Sequence, residues 1–216
     1  MKYKNYIWDF DGTIFDSYPH TLQCLWMVLE EEGLTGKFDR ETVAAYLQVS
    51  YNAMREYTGI SNEAFRRMLE YAHRFGEDEL QPIIDIYPDT EKVLREIVDA
   101  GGKNFIYTHR DKLTIKYLEK FGVLKYFTDI VTAEERFPLK PAPNAILAII
   151  ERNGLIPSEC IMIGDREIDG QSGKNAGIDG ALVNYPPILP DGSSPAEESK
   201  MDYIADSLTK FMEMVR

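Results

Sequence analysis

Residues Ile7–Thr13 read IWDFDGT, and the fold is most easily inferred outward from this stretch. An apolar run ends in Asp9 and Asp11, two positions apart, and Gly12 breaks the pattern directly afterwards. A strand that ends in this way places both acids on a loop at the carboxyl edge of a sheet, where open α/β sheets bind their ligands. Asp-Gly is also a common turn dipeptide, so the stretch alone fits a structural turn equally well.

Further short apolar runs alternate with segments of helical spacing along the rest of the chain. The predicted strands are residues 5–9, 104–108, 128–132, 160–164 and 180–184. The predicted helices are Thr90 to Ala100, Lys112 to Phe121, Ala142 to Asn153 and Glu167 to Ala176. Val93, Leu94, Ile97 and Val98 have the spacing of one helix face, and Gly154 lies where a helix C-cap is expected. This alternation predicts an α/β fold of Rossmann-like type, a doubly wound parallel sheet with helices on both faces.

The segment after the first predicted strand has a different character. From Tyr18 to Gln81 helical spacing dominates. Examples are the apolar positions Leu22, Leu25, Trp26 and Leu29, and the positions Phe65, Met68, Leu69 and Ala72 of a second helix face. We therefore expect an all-helical domain at 16–85, inserted into an α/β core domain of 1–15 and 86–216. Its two hinges are predicted at Phe15–Tyr18 and at about Pro82–Pro88. The alternative is that these helices pack on the sheet as ordinary α/β layers. The proline-rich stretch from Tyr185 to Glu198 is predicted to be a surface connection.

Composition argues against several classes of protein. The 216 residues carry 36 acidic and 24 basic side chains, for a net charge of −12 without a basic stripe, which disfavours nucleic acid and anionic membranes as partners. No apolar run approaches the roughly 20 residues of a membrane span, and the N-terminus lacks a signal-peptide pattern. We expect a cytoplasmic monomer or homodimer. Cys24 and Cys160 suggest buried thiols rather than a disulfide or a zinc site.

Two more groups of polar residues follow predicted strands. Thr108 ends a strand and precedes His109, so a hydroxyl and backbone N–H groups become available to a phosphate oxygen, although a plain helix cap explains the same residues. Lys140 precedes Pro141, which favours an extended conformation and thereby fixes the lysine in place. A surface lysine at a helix entrance is the structural alternative.

A last predicted strand ends in Asp165, and Asp169 follows one helical turn later, so both carboxylates can face one cleft. With Asp9 and Asp11, four carboxylates would then crowd one sheet edge. Two unit charges 4 Å apart repel by about 4 kcal/mol at an effective dielectric constant near 20. Such a cluster needs cations, of which Lys140 supplies one. The oxygen-only donor set predicts Mg²⁺ for the rest and argues against zinc.

Four motifs in this order resemble those of the haloacid dehalogenase-like hydrolase superfamily. They are DFDGT at Asp9–Thr13, the strand-end Thr108, Lys140-Pro141 and the pattern Gly164-Asp165-x-x-x-Asp169. The resemblance extends from residue 7 to about residue 184, and the helical insertion is similar to that family's helical cap. Residues 10–19, FDGTIFDSYP, are most similar to the phosphoglycolate phosphatase-type subgroup.

The resemblance implies a role for each matching acid. Asp9 would be the nucleophile that forms an aspartyl-phosphate, and Asp11 would be the general acid and base. Mg²⁺ would be bound by Asp9, by the backbone carbonyl of Asp11 and by Asp165. Asp169 would orient the surroundings of the metal and Lys140.

The resemblance also implies how the phosphoryl group is held. Thr108 and the amide of His109 would bind its oxygens, and Lys140 would neutralise charge in the transition state. Thr13 would support the nucleophile loop. The family varies at the position of Arg110, so no role follows for that residue.

The implied activity is Mg²⁺-dependent hydrolysis of a small phosphorylated metabolite, phosphoglycolate or another phosphomonoester. A hexose-phosphate mutase shares every core motif, but the counterpart of its cap histidine is Thr21, with His20 one position early. Dehalogenases lack the second aspartate, here Asp11. Phosphonate hydrolases need a cap lysine, and none occurs between Asp9 and Gly36. A non-catalytic, regulatory member would usually have lost the nucleophile or a metal ligand.

Substrate choice is expected to depend on the insertion. The candidates are Ser50, Tyr51, Asn52 and Arg55 at a turn between its helices, with His20 near the hinge. Arg55 could bind a carboxylate or a second phosphate of the substrate. The alternative is an arginine on a solvated helix face.

Overall fold

The computed structural model describes residues 1–77, 84–184, 192–193 and 199–216. These residues form two compact units. The first contains 1–15, 86–184 and 199–216, and the second contains 16–77, 84–85 and 192–193. Most of the predicted surface connection from Tyr185 to Glu198 lies outside the described residues, as do residues 82–83 of the second predicted hinge, which we placed at Pro82–Pro88.

A six-stranded parallel sheet forms the centre of the first unit. Its strands are β1 (Asn5–Trp8), β4 (Lys103–Tyr107), β5 (Phe127–Val131), β6 (Cys160–Gly164), β7 (Asp179–Val183) and β8 (Tyr203–Ala205). They lie in the order β5-β4-β1-β6-β7-β8, and every neighbouring pair is parallel. Two short strands, β2 (Phe15–Asp16) and β3 (Asp85–Ile86), pair with each other.

The register of the sheet explains why polar residues distant in sequence come together. Trp8 at the end of β1 aligns with Ile106 of β4 on one side and with Ile163 of β6 on the other. The strand order reverses beside β1, because β4 and β5 lie to one side of it and β6 to β8 to the other. This is the topological switch point at which doubly wound sheets bind ligands.

Helices complete the first unit. They are α5 (Thr90–Asp99), α6 (Leu113–Lys120), α7 (Asn144–Asn153), α8 (Glu167–Asn175) and α9 (Leu208–Val215). Gly154 ends α7 with a φ of +59°, as the capping pattern predicts. Val98 was expected on the buried face of α5 but is 42% exposed, because the buried stripe follows Val93, Leu94 and Ile97. The α/β prediction is confirmed, whereas β8 and α9 were not predicted.

The second unit is helical in its described part, as expected for the insertion. Its helices are α1 (Tyr18–Glu31), α2 (Arg40–Val49), α3 (Tyr51–Thr58) and α4 (Asn62–Glu77). Leu25 and Leu29 are fully buried in its own apolar core together with Met68. Leu69 was expected on the same face but is 39% exposed, because one residue past Met68 is a rotation of about 100° around the helix.

Two further expectations can be compared with the structure. Cys24 and Cys160 are both buried and unbridged. Among the helices of the described residues, none is both long enough and apolar enough to cross a membrane.

Candidate active site

The loop after β1 turns sharply and carries the first two acids. The N–H of Asp9 still donates to the carbonyl of Ile163 at 2.8 Å, which holds Asp9 at the edge of the sheet. Gly12 has a φ of +79°, and its N–H donates to the carbonyl of Phe15 at 2.7 Å. A side chain at position 12 would strain this turn, because L-residues rarely adopt such a φ. Glycine therefore allows the chain to fold back directly after Asp11.

Three carboxylates meet at this edge. Ligand oxygens of Asp9, Asp165 and Asp169 all lie within 4.8 Å of one another, and all three residues are buried. The Nζ of Lys140 lies 2.5 Å from Asp9 Oδ1 and 2.8 Å from Asp169 Oδ1, and its side chain is only 2% exposed. The structure thus brings the acids of the first and last motifs onto one buried lysine.

The charges of this cluster do not balance by themselves. When all three carboxylates are ionised, they exceed the single ammonium of Lys140 by two negative charges. Burial raises the pKa of Asp9 to about 7, although the charge of Lys140 opposes the shift. Burial also disfavours the ammonium of Lys140, but Asp169 and Asp9 together outweigh it and raise the lysine pKa.

A divalent cation is the group that this site fits. It would neutralise the two remaining charges, and an all-oxygen donor set suits Mg²⁺. The three acids therefore fit a bound metal by charge, by donor type and by their mutual distances.

Asp169 reaches the cluster because position 164 has no side chain. A Cβ atom on Gly164 would lie 2.1 Å from Asp169 Cβ and 2.3 Å from its Cγ. The other carboxylate oxygen, Oδ2, accepts a hydrogen bond from the N–H of Arg166 at 3.0 Å, at the start of α8. Asp169 thus caps the helix with one oxygen and binds Lys140 with the other.

The backbone of Lys140 is fixed as well. Its N–H donates to His109 Nε2 at 3.0 Å, and the Lys140-Pro141 peptide bond is cis. Desolvation of the imidazole, with the charge of Lys140 adding to it, lowers the pKa of His109 to about 4. The ring is therefore neutral at neutral pH and able to accept through Nε2. The side chain of His109 positions the lysine loop, a role that the sequence did not indicate.

Thr108 is buried and directly follows the last residue of β4. Its Oγ1 accepts a hydrogen bond from the N–H of Arg110 at 3.1 Å. A hydroxyl that accepts in this way can still donate its own hydrogen. The hydroxyl hydrogen of Thr108 is therefore not used by this hydrogen bond to Arg110.

Asp11 has a partner that sequence reasoning did not assign. Arg110 Nε lies 3.1 Å from Asp11 Oδ1 and 3.0 Å from Oδ2, and Arg110 Nη2 lies 2.6 Å from Oδ1. The fork of Arg110 thus contacts both oxygens of the carboxylate.

Thr13 and Asn184 hold the other side of the first loop. Thr13 is buried, and its hydroxyl is 3.5 Å from Asp165 Oδ1. Asn184 Nδ2 donates to the carbonyl of Thr13 at 2.9 Å. Sequence reasoning missed Asn184, and the signal that could have found it is its position as a polar residue at the end of an apolar strand.

The candidate specificity residues belong to the helical unit. Arg55 donates to Asn62 Oδ1, and its guanidinium lies 4.6 Å from the centre of the Phe65 ring. Ser50 caps α3 by accepting from the N–H of Ala53 at 3.0 Å. His20 is buried, with Nε2 3.0 Å from the carbonyl of Ala72. Each of these three side chains thus has at least one contact within the unit.

Two curated proteins are similar to nearly the whole chain. A phosphoglycolate phosphatase of Vibrio parahaemolyticus is 26% identical and aligns with 96% of this chain and 93% of its own length. The pyrophosphatase PpaX of Bacillus velezensis is also 26% identical, over 95% of this chain and 93% of its own length.

Solved structures are also similar to this chain. A hydrolase from Streptococcus pneumoniae TIGR4 is 30% identical, with a TM-score of 0.63 over 83% of this chain and 92% of that one. A predicted phosphoglycolate phosphatase from Haemophilus somnus has a TM-score of 0.79 over 100% of this chain and 99% of that one, and at 18% identity it shows a shared fold.

The family comparison covers all four motifs. The profile of the haloacid dehalogenase-like hydrolases matches residues 6–183, which include all four motifs. The resemblance inferred from the motifs and the expected class of enzyme, a hydrolase, are both confirmed. From its motifs, its sheet and its relatives, the chain belongs to the haloacid dehalogenase-like hydrolase family.

Proposed function

We propose that this protein is a Mg²⁺-dependent phosphatase that hydrolyses a small phosphorylated metabolite through a phospho-aspartate on Asp9. The observation that carries the proposal is the buried cluster of Asp9, Asp165 and Asp169 on Lys140. Burying like charges is costly, so such a cluster is not expected to stabilise the fold. A nucleophile beside a cation site explains these carboxylates better.

Asp9, Asp165 and the backbone carbonyl of Asp11 would hold the metal ion. When bound, Mg²⁺ supplies positive charge that draws a phosphoryl group toward the nucleophile and neutralises charge in the transition state. Lys140 contributes a second positive charge at Asp9. Thr108 and the N–H of His109 bind the remaining phosphoryl oxygens.

The first step transfers the phosphoryl group to the protein. An oxygen of Asp9 forms a bond to phosphorus, and the bond from phosphorus to the leaving oxygen breaks. Asp11 gives its proton to that oxygen, which departs as an alcohol. Asp11 is then a carboxylate, and Asp9 carries the phosphoryl group.

The second step restores the protein. A water oxygen attacks phosphorus while Asp11 takes one of the water protons. The bond between phosphorus and the Asp9 oxygen breaks, so inorganic phosphate leaves and Asp9 is a carboxylate again. Asp11 is protonated again and ready for the next cycle.

The names of the curated relatives indicate which substrates to consider first. One curated relative is a phosphoglycolate phosphatase and another, at the same 26% identity, is a pyrophosphatase. Phosphoglycolate-like monoesters and pyrophosphate are therefore the two candidates, and phosphomonoesters come first because the motif at residues 10–19 is most similar to that subgroup. We further propose a core domain of 1–15 and 86–216 and a cap domain of 16–85, whose Arg55 contributes to substrate selection.

The test is hydrolysis of p-nitrophenyl phosphate with Mg²⁺, followed by a screen of phosphoglycolate, sugar phosphates, nucleotides and pyrophosphate. Asp9→Asn should reduce kcat by at least about a thousandfold, because the nucleophile is lost. Asp99→Asn, on an exposed position of α5, is the matched control and should leave kcat unchanged. Rapid quenching should also trap a phospho-enzyme in the parent protein that is missing from Asp9→Asn.

Each alternative function predicts a different outcome of these assays. No turnover and no phospho-enzyme would support a non-catalytic protein. Interconversion of hexose monophosphates without net phosphate release would support a mutase, and halide release from a 2-haloacid would support a dehalogenase.

A further inference from the structure

Arg110 is a basic residue to which neither the motifs nor the proposed mechanism gives a role. Its guanidinium makes three contacts of 2.6–3.1 Å with the two carboxylate oxygens of Asp11. The side chain of Arg110 is 16% exposed and that of Asp11 is 30% exposed. A partly buried, forked ion pair has a more defined geometry than a pair on an open surface.

Arg110 is itself held at several points. Its N–H donates to Thr108 Oγ1 at 3.1 Å, and its carbonyl accepts from the N–H of Ala133 at 3.0 Å. The guanidinium carbon also lies 5.7 Å from the centre of the Phe10 ring and 5.8 Å from that of Tyr117. Contacts of this kind suit a planar guanidinium and would not hold a lysine ammonium equally well.

Asp11, by comparison, projects from a loop. The loop turns at Gly12, and an aspartate side chain has about three staggered χ1 rotamers. Contact with both oxygens selects one of these orientations.

We propose that Arg110 is a positioning residue that holds the carboxyl group of Asp11 in the orientation for proton transfer to and from the reacting oxygens. This inference rests on the proposed function, in which Asp11 is the general acid and base. Arg110 acts through Asp11 and needs no contact with the substrate.

A pair of aryl phosphates can distinguish this role from a purely structural one. p-Nitrophenolate leaves with little help from an acid, whereas phenolate leaves much faster when it is protonated. The quantity to measure is kcat/KM with Mg²⁺ for p-nitrophenyl phosphate and for phenyl phosphate, because it includes only the steps through the first phosphoryl transfer. Dividing one value by the other cancels the fraction of protein that is active, so a poorly folding variant still gives a result.

Arg110→Met should lower kcat/KM about 10- to 100-fold for phenyl phosphate and less than about threefold for p-nitrophenyl phosphate, because a misplaced acid matters most for the poor leaving group. Arg110→Lys should recover only part of the loss, since an ammonium lacks the fork. In an Asp11→Asn background, Arg110→Met should have no further effect on the ratio of the two values.

Arg152→Met is the matched control. Arg152 also forks a carboxylate, that of Glu135, but on the surface of the same unit. Its removal should leave the ratio unchanged. Equal losses of Arg110→Met on both substrates, or a further change of the ratio in the Asp11→Asn background, would overturn the inference while leaving the phosphatase proposal intact. Absence of turnover by the parent protein on both esters would overturn the phosphatase proposal and the inference with it.

Discussion

At the scale of single residues, the site depends on one missing side chain as much as on those present. Asp169 lies where a Cβ on Gly164 would be, and this close approach brings its Oδ1 to 2.8 Å from Lys140 Nζ. Lys140 in turn contacts Asp9 at 2.5 Å. The position of the Lys140 ammonium, which contacts the candidate nucleophile Asp9, therefore depends on the absence of a side chain at Gly164.

We expect Gly164→Ala to displace Asp169 and, through it, Lys140. A shift of about 1 Å at a catalytic group can lower the rate about a hundredfold, and overpacking a tight site reduces the free energy of unfolding by about 1–3 kcal/mol. The measurements are kcat/KM for p-nitrophenyl phosphate and urea denaturation.

Gly36→Ala is the matched control for this substitution. A Cβ at Gly36 has no atom within 4 Å, so both quantities should stay close to those of the parent protein. Parent-like activity of Gly164→Ala would contradict the coupling.

At the scale of elements, the sheet is held in register by a buried polar residue. Asn104, on β4, accepts a hydrogen bond from Trp8 Nε1 of β1 at 3.0 Å. Its amide donates to the carbonyls of Leu94 at 3.1 Å and Tyr126 at 3.3 Å. This one side chain satisfies groups on three segments, and the register it supports brings the residues after β1 and β4 to the same edge.

Asn104→Ala should lower the free energy of unfolding by about 2–4 kcal/mol, because it leaves the buried N–H of Trp8 without its acceptor. Urea denaturation measures the loss. Trp8→Phe removes the donor instead, and the double variant should lose less than the sum of the two single losses. Additive losses would show that the hydrogen bond contributes little.

At the scale of the whole molecule, the net charge of the chain and the charge of the buried carboxylate cluster are both negative. The chain carries −12 overall, and the buried cluster holds three carboxylates against the one ammonium of Lys140. Such a protein gains stability from any cation that binds only its folded state.

Mg²⁺ at about 100 times its dissociation constant should stabilise the protein by about 2.7 kcal/mol, which raises Tm by roughly 5–10 °C for a chain of this length. Asp165→Asn should abolish this shift. Without Mg²⁺ that variant should be at least as stable as the parent, because one buried like charge is gone. Thermal unfolding in MgCl₂ and in NaCl of matched ionic strength measures both effects, and an equal Mg²⁺ shift in the two proteins would rule out this metal site.

Part of the fold was predictable and part was not. The alternation of strand and helix is a local pattern, and it was sufficient to predict the parallel sheet and the helical insertion. Strand β8 has only three residues, too few to show a pattern. The exposure of Val98 and Leu69 depends on which side of a helix a neighbour covers, and spacing alone does not contain that information.

The sequence by itself determined the class of fold, the order of the motifs and the residue types at the strand ends, because these follow from local propensity and turn chemistry. Only the tertiary structure decided which of these residues touch: Lys140 with Asp9 across 131 positions, Arg110 with Asp11 across 99, and Asn184 with Thr13 across 171. Contacts over such separations depend on strand register and packing. Local sequence therefore determined which charged and polar residues follow the strands, and strand register and packing determined which of them are in contact.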